Sequence, residues 1–291
     1  MEQIRKTQIK YLNVFFIFLS STAIGAAMEP PRPSISKHFV LVHGSCLGAW
    51  SWYKLLPLLK SSGHNVTALD LAASGVNPVQ PSDLRSISGF FRPLRNFMET
   101  LPPHERVILV GHSLGGLAIS QAMESFPSRI SVAVFLTALM PGPTLNISTL
   151  NQESFSRQDT LLDSRFSYDK GPDKPPTSFI FGPMYLASNV FQLSPTEDLA
   201  LATMLLRPLP LFSDEDHSME LMLSTVKYGS VNRVYIISEK DKVGKRDFQW
   251  WMIERNPPNR VVEITGSDHM VMMSKPKQLW ARLQEIAEKY S

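Results

Sequence analysis

The sequence predicts an α/β fold, a mostly parallel sheet of about six strands flanked by helices and interrupted by one insertion. Three observations predict it. Apolar strand-like runs alternate with helical periodicity along the first half of the chain. The runs are continuously apolar, as strands covered on both faces must be. The alternation then stops at Met140-Pro141-Gly142-Pro143 and resumes near Val231.

Taken in order, His38 to Val42 reads as a buried strand that ends in the loop His43-Gly44-Ser45-Cys46-Leu47-Gly48. Trp50 to Lys60 reads as a helix, Val66 to Leu69 as a strand, and Ile87 to Thr100 as a helix with apolar residues at helical spacing. Val107 to Val110 is the next strand, Leu117 to Glu124 the next helix, and Ser131 to Leu136 a further strand. Residues 143–212 are rich in Pro, Ser and aromatics, with one helical pattern over Pro195 to Leu206. They read as an insertion between sheet strands that forms a lid (cap). Val231 to Ile237 and Arg260 to Thr265 are the last strands, and Pro276 to Tyr290 is a closing amphipathic helix.

The 291 residues suit one large domain, residues 38–291, behind two short N-terminal pieces. Arg5, Lys6 and Lys10 precede the apolar run Tyr11–Ala27, so residues 1–27 read as a signal peptide or anchor. Residues 28–37 read as a Pro-rich leader. Secretion or an endomembrane location follows if the apolar run is used, and a cytoplasmic one if translation starts at Met28. Asn65-Val66-Thr67 and Asn146-Ile147-Ser148 are glycosylation sequons that only a secreted chain would use.

Composition excludes several function classes. The net charge of +3 comes without a basic patch, so no nucleic-acid partner is expected. The single cysteine, Cys46, rules out an intramolecular disulfide and a thiolate metal cluster. The seven histidines show no metal-ligand spacing, so no metal is expected. No Gly-rich phosphate loop follows a strand, and no cofactor is expected. A homodimer is left open.

The chemistry sits in Gly111-His112-Ser113-Leu114-Gly115. A strand before it and a helix after it make this G-x-S-x-G a nucleophile elbow, with Ser113 at the tip of a sharp turn. Side chains at 111 or 115 would crowd that turn. A serine hydroxyl needs a base, and the base an orienting carboxylate. In this architecture they follow in the order acid, then histidine, each in a loop after a strand. Only His217 and His269 lie downstream. His217 sits in the charged run Ser213–Asp216, which reads as a solvated loop, whereas His269 follows the last strand in Gly266-Ser267-Asp268-His269. His269 is therefore the base. Asp241, just after the strand ending at Ile237, is favoured as the acid over Glu239 and Asp268. Two backbone N–H donors are needed for the oxyanion, and Leu114 and Ser45 are placed to supply them. His43 and His112 read as structural hydrogen-bonding residues beside the elbow.

HFVLVHGSCLGAWSWYKL, VTALDLAASG, VILVGHSLGG, TSFIFGP, Val234 to Ile237 and GSDHM resemble the plant methylesterase family of the α/β-hydrolase fold. That family includes methyl salicylate, methyl jasmonate and methyl indole-acetate esterases, polyneuridine aldehyde esterase and hydroxynitrile lyases. The resemblance covers His38 to about Tyr290. It implies a catalytic Ser113, Asp241 and His269, an oxyanion hole at Ser45 and Leu114, and pocket aromatics at Phe166 and Phe181. Leu161 stands where the salicylate-binding member has a tryptophan, which speaks against a salicylate preference. One branch of the lyases carries lysine where this chain has Met270, and the lyases carry threonine or asparagine where it has Gly44. Gly44, Leu114 and Met270 all fall on the esterase side. The expected reaction is hydrolysis of a small-molecule methyl ester through an acyl-enzyme. The competing readings are a hydroxynitrile lyase and a ligand receptor on a hydrolase scaffold.

Overall fold

A computed structural model describes residues 36–290. Residues 1–27, expected as a signal peptide or anchor, and nearly all of 28–37, expected as a leader, lie outside the described residues. The central sheet has six parallel strands in the order β2-β1-β3-β4-β8-β9. They are β1 (His38–Val42), β2 (Asn65–Leu69), β3 (Val107–His112), β4 (Ile130–Leu136), β8 (Arg233–Ser238) and β9 (Arg260–Ile264). Burial follows position. All six residues of β3 are buried, whereas the edge strands β2 and β9 are mostly half-buried. The continuous apolar runs therefore belong to the inner strands, which helices cover on both faces.

Alternation along each strand divides the interior into two cores. Val40, Val42, Leu109, Phe135, Tyr235 and Ile237 face α2 (Ile87–Thr100) and α3 (Gly115–Ser125). Phe39, Leu41, Ile108, Val110, Val134 and Ile236 face α1 (Leu55–Ser61) and α10 (Pro276–Lys289). α2 starts where Ser86 accepts a hydrogen bond from the Gly89 N–H, and its five buried residues fall at helical spacing. The crossover from β1 goes outward to β2, and the next returns past β1 to β3. The β1/β3 boundary is thus a topological switch point, where ligands bind outside the carboxyl ends of strands. Pairing of Val42 with Gly111 sets the loop after β1 beside the elbow.

The structure differs from the sequence reading in four places. The helix expected over Trp50–Lys60 is split into a 3-10 turn at Ala49–Trp52 and α1. Pro57 falls in the first turn of α1, where its missing N–H has no partner within the helix to lose. Asp70 meanwhile holds the Ala49 N–H at 2.7 Å.

The segment between β4 and β8 is more regular than its composition suggests. It carries α4 (Ile147–Ser156), capped by Asn146, and a three-stranded antiparallel sheet of β5 (Arg165–Ser167), β6 (Ser178–Ile180) and β7 (Leu209–Pro210). A helical turn α5 (Pro183–Tyr185) runs into a π-turn at Leu186–Val190, and α6 (Thr196–Leu205) follows.

The charged run expected to be a loop is the start of α7 (Asp214–Glu220), because Ser213 and Asp216 form a reciprocal capping box. Finally, α8 (Arg246–Arg255) connects β8 to β9, and a short α9 (Val271–Ser274) precedes α10. Among the described residues no helix is long and apolar enough to cross a membrane.

Candidate active site

Ser113 occupies the turn between β3 and α3 with φ at 54°. A non-glycine residue there costs on the order of 1–3 kcal/mol and persists only when its surroundings enforce it. They do so through three backbone bonds. Ser113 N–H donates to the Leu136 carbonyl at 3.3 Å, and its own carbonyl accepts from Gly116 at 3.1 Å and Leu139 at 3.0 Å. The flanking glycines permit the close approach. A Cβ at Gly111 would lie 2.7 Å from the Gly115 carbonyl oxygen, and one at Gly115 would lie 2.7 Å from the His43 and Val42 carbonyl oxygens. Steric need thus accounts for both glycines of the motif.

Asp241 and His269 come from the loops after β8 and β9 and meet at the same sheet edge. His269 Nδ1 and Asp241 Oδ2 are 2.7 Å apart, and both residues are buried. The carboxylate is held by three further donors. Thr137 Oγ1 bonds the same oxygen, while Val243 and Gly244 N–H bond Oδ1 at 2.7 and 3.0 Å. An acceptor on Nδ1 makes that nitrogen the protonated one and leaves a lone pair on Nε2.

The two other candidate acids have different partners. Glu239 accepts from the Gly266 N–H at 2.7 Å, and Asp268 accepts from Leu193, Ser194 and Met270. His112 Nε2 donates to the His269 carbonyl at 2.8 Å. His43 donates through Nδ1 to the Gly44 carbonyl at 2.8 Å and accepts the Leu71 N–H on Nε2 at 3.1 Å. Burial pushes both imidazoles below their usual range, His112 furthest because His269 lies beside it. Each holds backbone beside the elbow through these bonds.

Neither the Ser45 nor the Leu114 N–H has a hydrogen-bond acceptor among the described residues. Both residues, with Ser113 and His269, line a cavity of about 820 Å³. Leu161, Phe166 and Phe181 stand on its wall. Phe179 lies between Phe166 and Phe181, with ring centroids at 5.0 and 5.1 Å, and Phe181 stacks on Tyr185 at 5.3 Å. Two residues read as substrate contacts are not on that wall. Met270 is fully buried in the core shared with α10, because α9 begins at the next residue and turns the chain inward. Gly44 lies behind the serine: a Cβ there would be 2.8 Å from Ser113 Cβ.

Several cavity residues escaped the sequence reading. Thr137 and Leu139 follow β4, at the same sheet edge as Asp241. His217 lines the cavity from α7 rather than from a solvated loop. Cys46 bonds the Phe179 carbonyl at 3.4 Å, and burial pushes its thiol up to about 12, so it stays protonated and inert. Among the described residues no group of three or more His, Cys, Asp or Glu side chains is arranged to hold a metal ion.

Residues 39–283 match the alpha/beta hydrolase family. Methyl jasmonate esterase 1 of Vitis vinifera is 54% identical over 256 residues, which cover 88% of this chain and 98% of that protein. The chain belongs to the plant methylesterases. Within that group, salicylic acid-binding protein 2 of Nicotiana tabacum is 47% identical over 257 residues, covering 88% of this chain and 98% of its own. Among solved structures, a mutant of tomato methylketone synthase I superposes with a TM-score of 0.86 at 54% identity, covering 88% of this methylesterase-family chain and all of the other. Polyneuridine aldehyde esterase superposes with a TM-score of 0.81 at 42% identity, over 87% and 99% of the two chains.

Proposed function

We propose that this chain is a serine carboxylesterase that hydrolyses methyl esters of small plant signalling acids, of the methyl jasmonate, methyl salicylate or methyl indole-acetate type. The observation that carries the proposal is the buried Asp241–His269 pair at 2.7 Å, with His269 on the same cavity as the elbow serine Ser113. Ser113 Oγ attacks the ester carbonyl and its proton passes to His269 Nε2. The N–H groups of Ser45 and Leu114 receive the oxyanion. The C–O bond to the methoxy group breaks, and methanol leaves with the proton from His269. Water then attacks the acyl-enzyme, giving its proton to His269, and the free acid leaves as Ser113 recovers its proton. Asp241 holds the tautomer and stabilises the imidazolium throughout.

The insertion at 143–212 acts in this reading as the lid, since it supplies Leu161, Phe166 and Phe181 to the cavity. Residues 1–27 are the signal peptide or anchor and 28–37 the leader, supported by the basic and apolar pattern there; sequencing the mature N-terminus tests this. Tomato methylketone synthase I has been solved with 2-tridecanone and with beta-ketoheptanoate, which supports adding chain-like acyl groups to any substrate panel.

The deciding experiment is hydrolysis of a methyl ester panel by purified protein. Turnover over many cycles is expected, with a loss of at least about a thousandfold in Ser113→Ala. No turnover of any methyl ester, or cyanide release from mandelonitrile instead, would sink the proposal.

A further inference from the structure

The residue before the base is an unusual buried carboxylate. Asp268 is fully buried, and no cation pairs with it among the described residues. Three neutral donors satisfy it. Leu193 N–H and Ser194 Oγ bond Oδ2 at 2.9 and 2.8 Å, and Met270 N–H bonds Oδ1 at 3.1 Å. Its own carbonyl accepts from Ser238 Oγ at 2.7 Å. Burying a carboxylate without a counter-charge is costly, and apolar packing would do the structural job more cheaply. What these bonds achieve is geometric. They fix the backbone on both sides of His269 and tie it to a segment of the insertion.

That segment, Leu186–Ser194, reaches the acid's loop as well. Gln192 Nε2 donates to the Lys240 carbonyl at 2.7 Å, and Lys242 Nζ donates to the Ser188 carbonyl at 3.1 Å. The segment begins with a π-turn, a form frequent at functional sites. One strap therefore spans the loops of both Asp241 and His269, and Asp268 is its anchor on the histidine side.

We propose that Asp268 is a positioning residue for the reaction: its carboxylate locks the Leu186–Ser194 strap onto the histidine loop, so that seating of the strap and aim of the His269 ring are set together. This rests on the reading of Ser113 and His269 as nucleophile and base. A shift of the ring by about 1 Å is enough to cost on the order of a hundredfold in rate.

The test measures labelling of Ser113 by a fluorophosphonate, which needs an activated serine but no particular acyl group, alongside ester turnover and thermal unfolding. Asp268→Asn places an amide N–H against one of the three donors. Labelling and kcat are expected to fall at least about tenfold with KM within about threefold. Ser194→Ala removes one donor, and labelling slows about threefold; in the double variant the two losses do not add, because both act on the one Asp268 carboxylate. A folded Asp268→Asn protein that labels at the wild-type rate and merely melts earlier would overturn the proposal, as would additive losses. Should Asp268→Asn fail to fold, Ser194→Ala decides alone: slower labelling supports the strap and an unchanged rate overturns it. Wild-type protein that labels but turns over no ester would instead end the esterase reading and leave the strap standing.

Discussion

Thr137 sets the direction of the Asp241 carboxylate, donating its hydroxyl to the same oxygen that faces His269. Thr137→Val keeps the shape and removes the donor. The carboxylate then loses one of four hydrogen bonds, and kcat is expected to fall about tenfold, or about 1.4 kcal/mol, in steady-state assays while the melting temperature changes little. Gly44 allows a sharper test. A methyl at 44 would sit 2.8 Å from Ser113 Cβ and 3.0 Å from His112 Nδ1, so Gly44→Ala displaces Ser113 itself. Its kcat/KM on methyl esters is expected to drop by about one to two orders of magnitude, with the fold retained by circular dichroism. Chain order singled out Ser113, Asp241 and His269, because each loop follows a recognisable apolar strand. Thr137 was not legible, since its role depends on a φ of 39° and a bond across 104 residues. Met270 is off the cavity wall for a similar reason: a residue next to His269 need not share its direction once a helix starts beside it.

Among the elements, the end of the insertion is tethered by Arg207. Its guanidinium donates to the carbonyls of Gly75, Asn77 and Val79, and its N–H to that of Cys46. A planar guanidinium spreads its N–H donors over three separate carbonyls, whereas a lysine ammonium gathers its donors at one point. Arg207→Lys is expected to lower stability by about 1–2 kcal/mol and the melting temperature by about 2–4 °C per kcal/mol, with faster proteolysis in the 75–79 loop. Strands and helices with a long apolar period were readable to within a few residues, α2 to both its ends. β5 to β7 were not. They have two or three residues each, too few for a period, and β5 is exposed along its length. α7 was hidden because Ser213–Asp216 looks like a charged loop until Ser213 is seen to cap it.

For the molecule as a whole, the buried histidines couple stability to acidity. His43 and His112 are held below the ordinary 6.5 by burial, so the unfolded chain binds protons that the native chain refuses. Their contribution is intact above pH 6.5 and is lost as the pH falls below it, by up to about 1.4 kcal/mol per pH unit for each group. Urea midpoints are expected to fall between pH 7.5 and 5.5, and a flat profile would contradict this. The parallel sheet was legible because its inner strands are buried on both faces. The pairing of β4 with β8 was not, since Ala133 and Arg233, its first partners, lie a hundred residues apart. That separation carries a consequence for how the chain is made. β2, β1, β3 and β4 come from the first 136 residues and can pair while synthesis continues, leaving the flank of β4 open until the insertion has emerged. Long loops close slowly, and an unpaired strand edge invites association. Refolding is therefore expected to show a late step that adds β8 and β9, with Asp241 and His269 arriving last. In pulsed hydrogen exchange the amides of β1 and β3 gain protection before those of β9, and a chaperone that shields the β4 edge raises the yield.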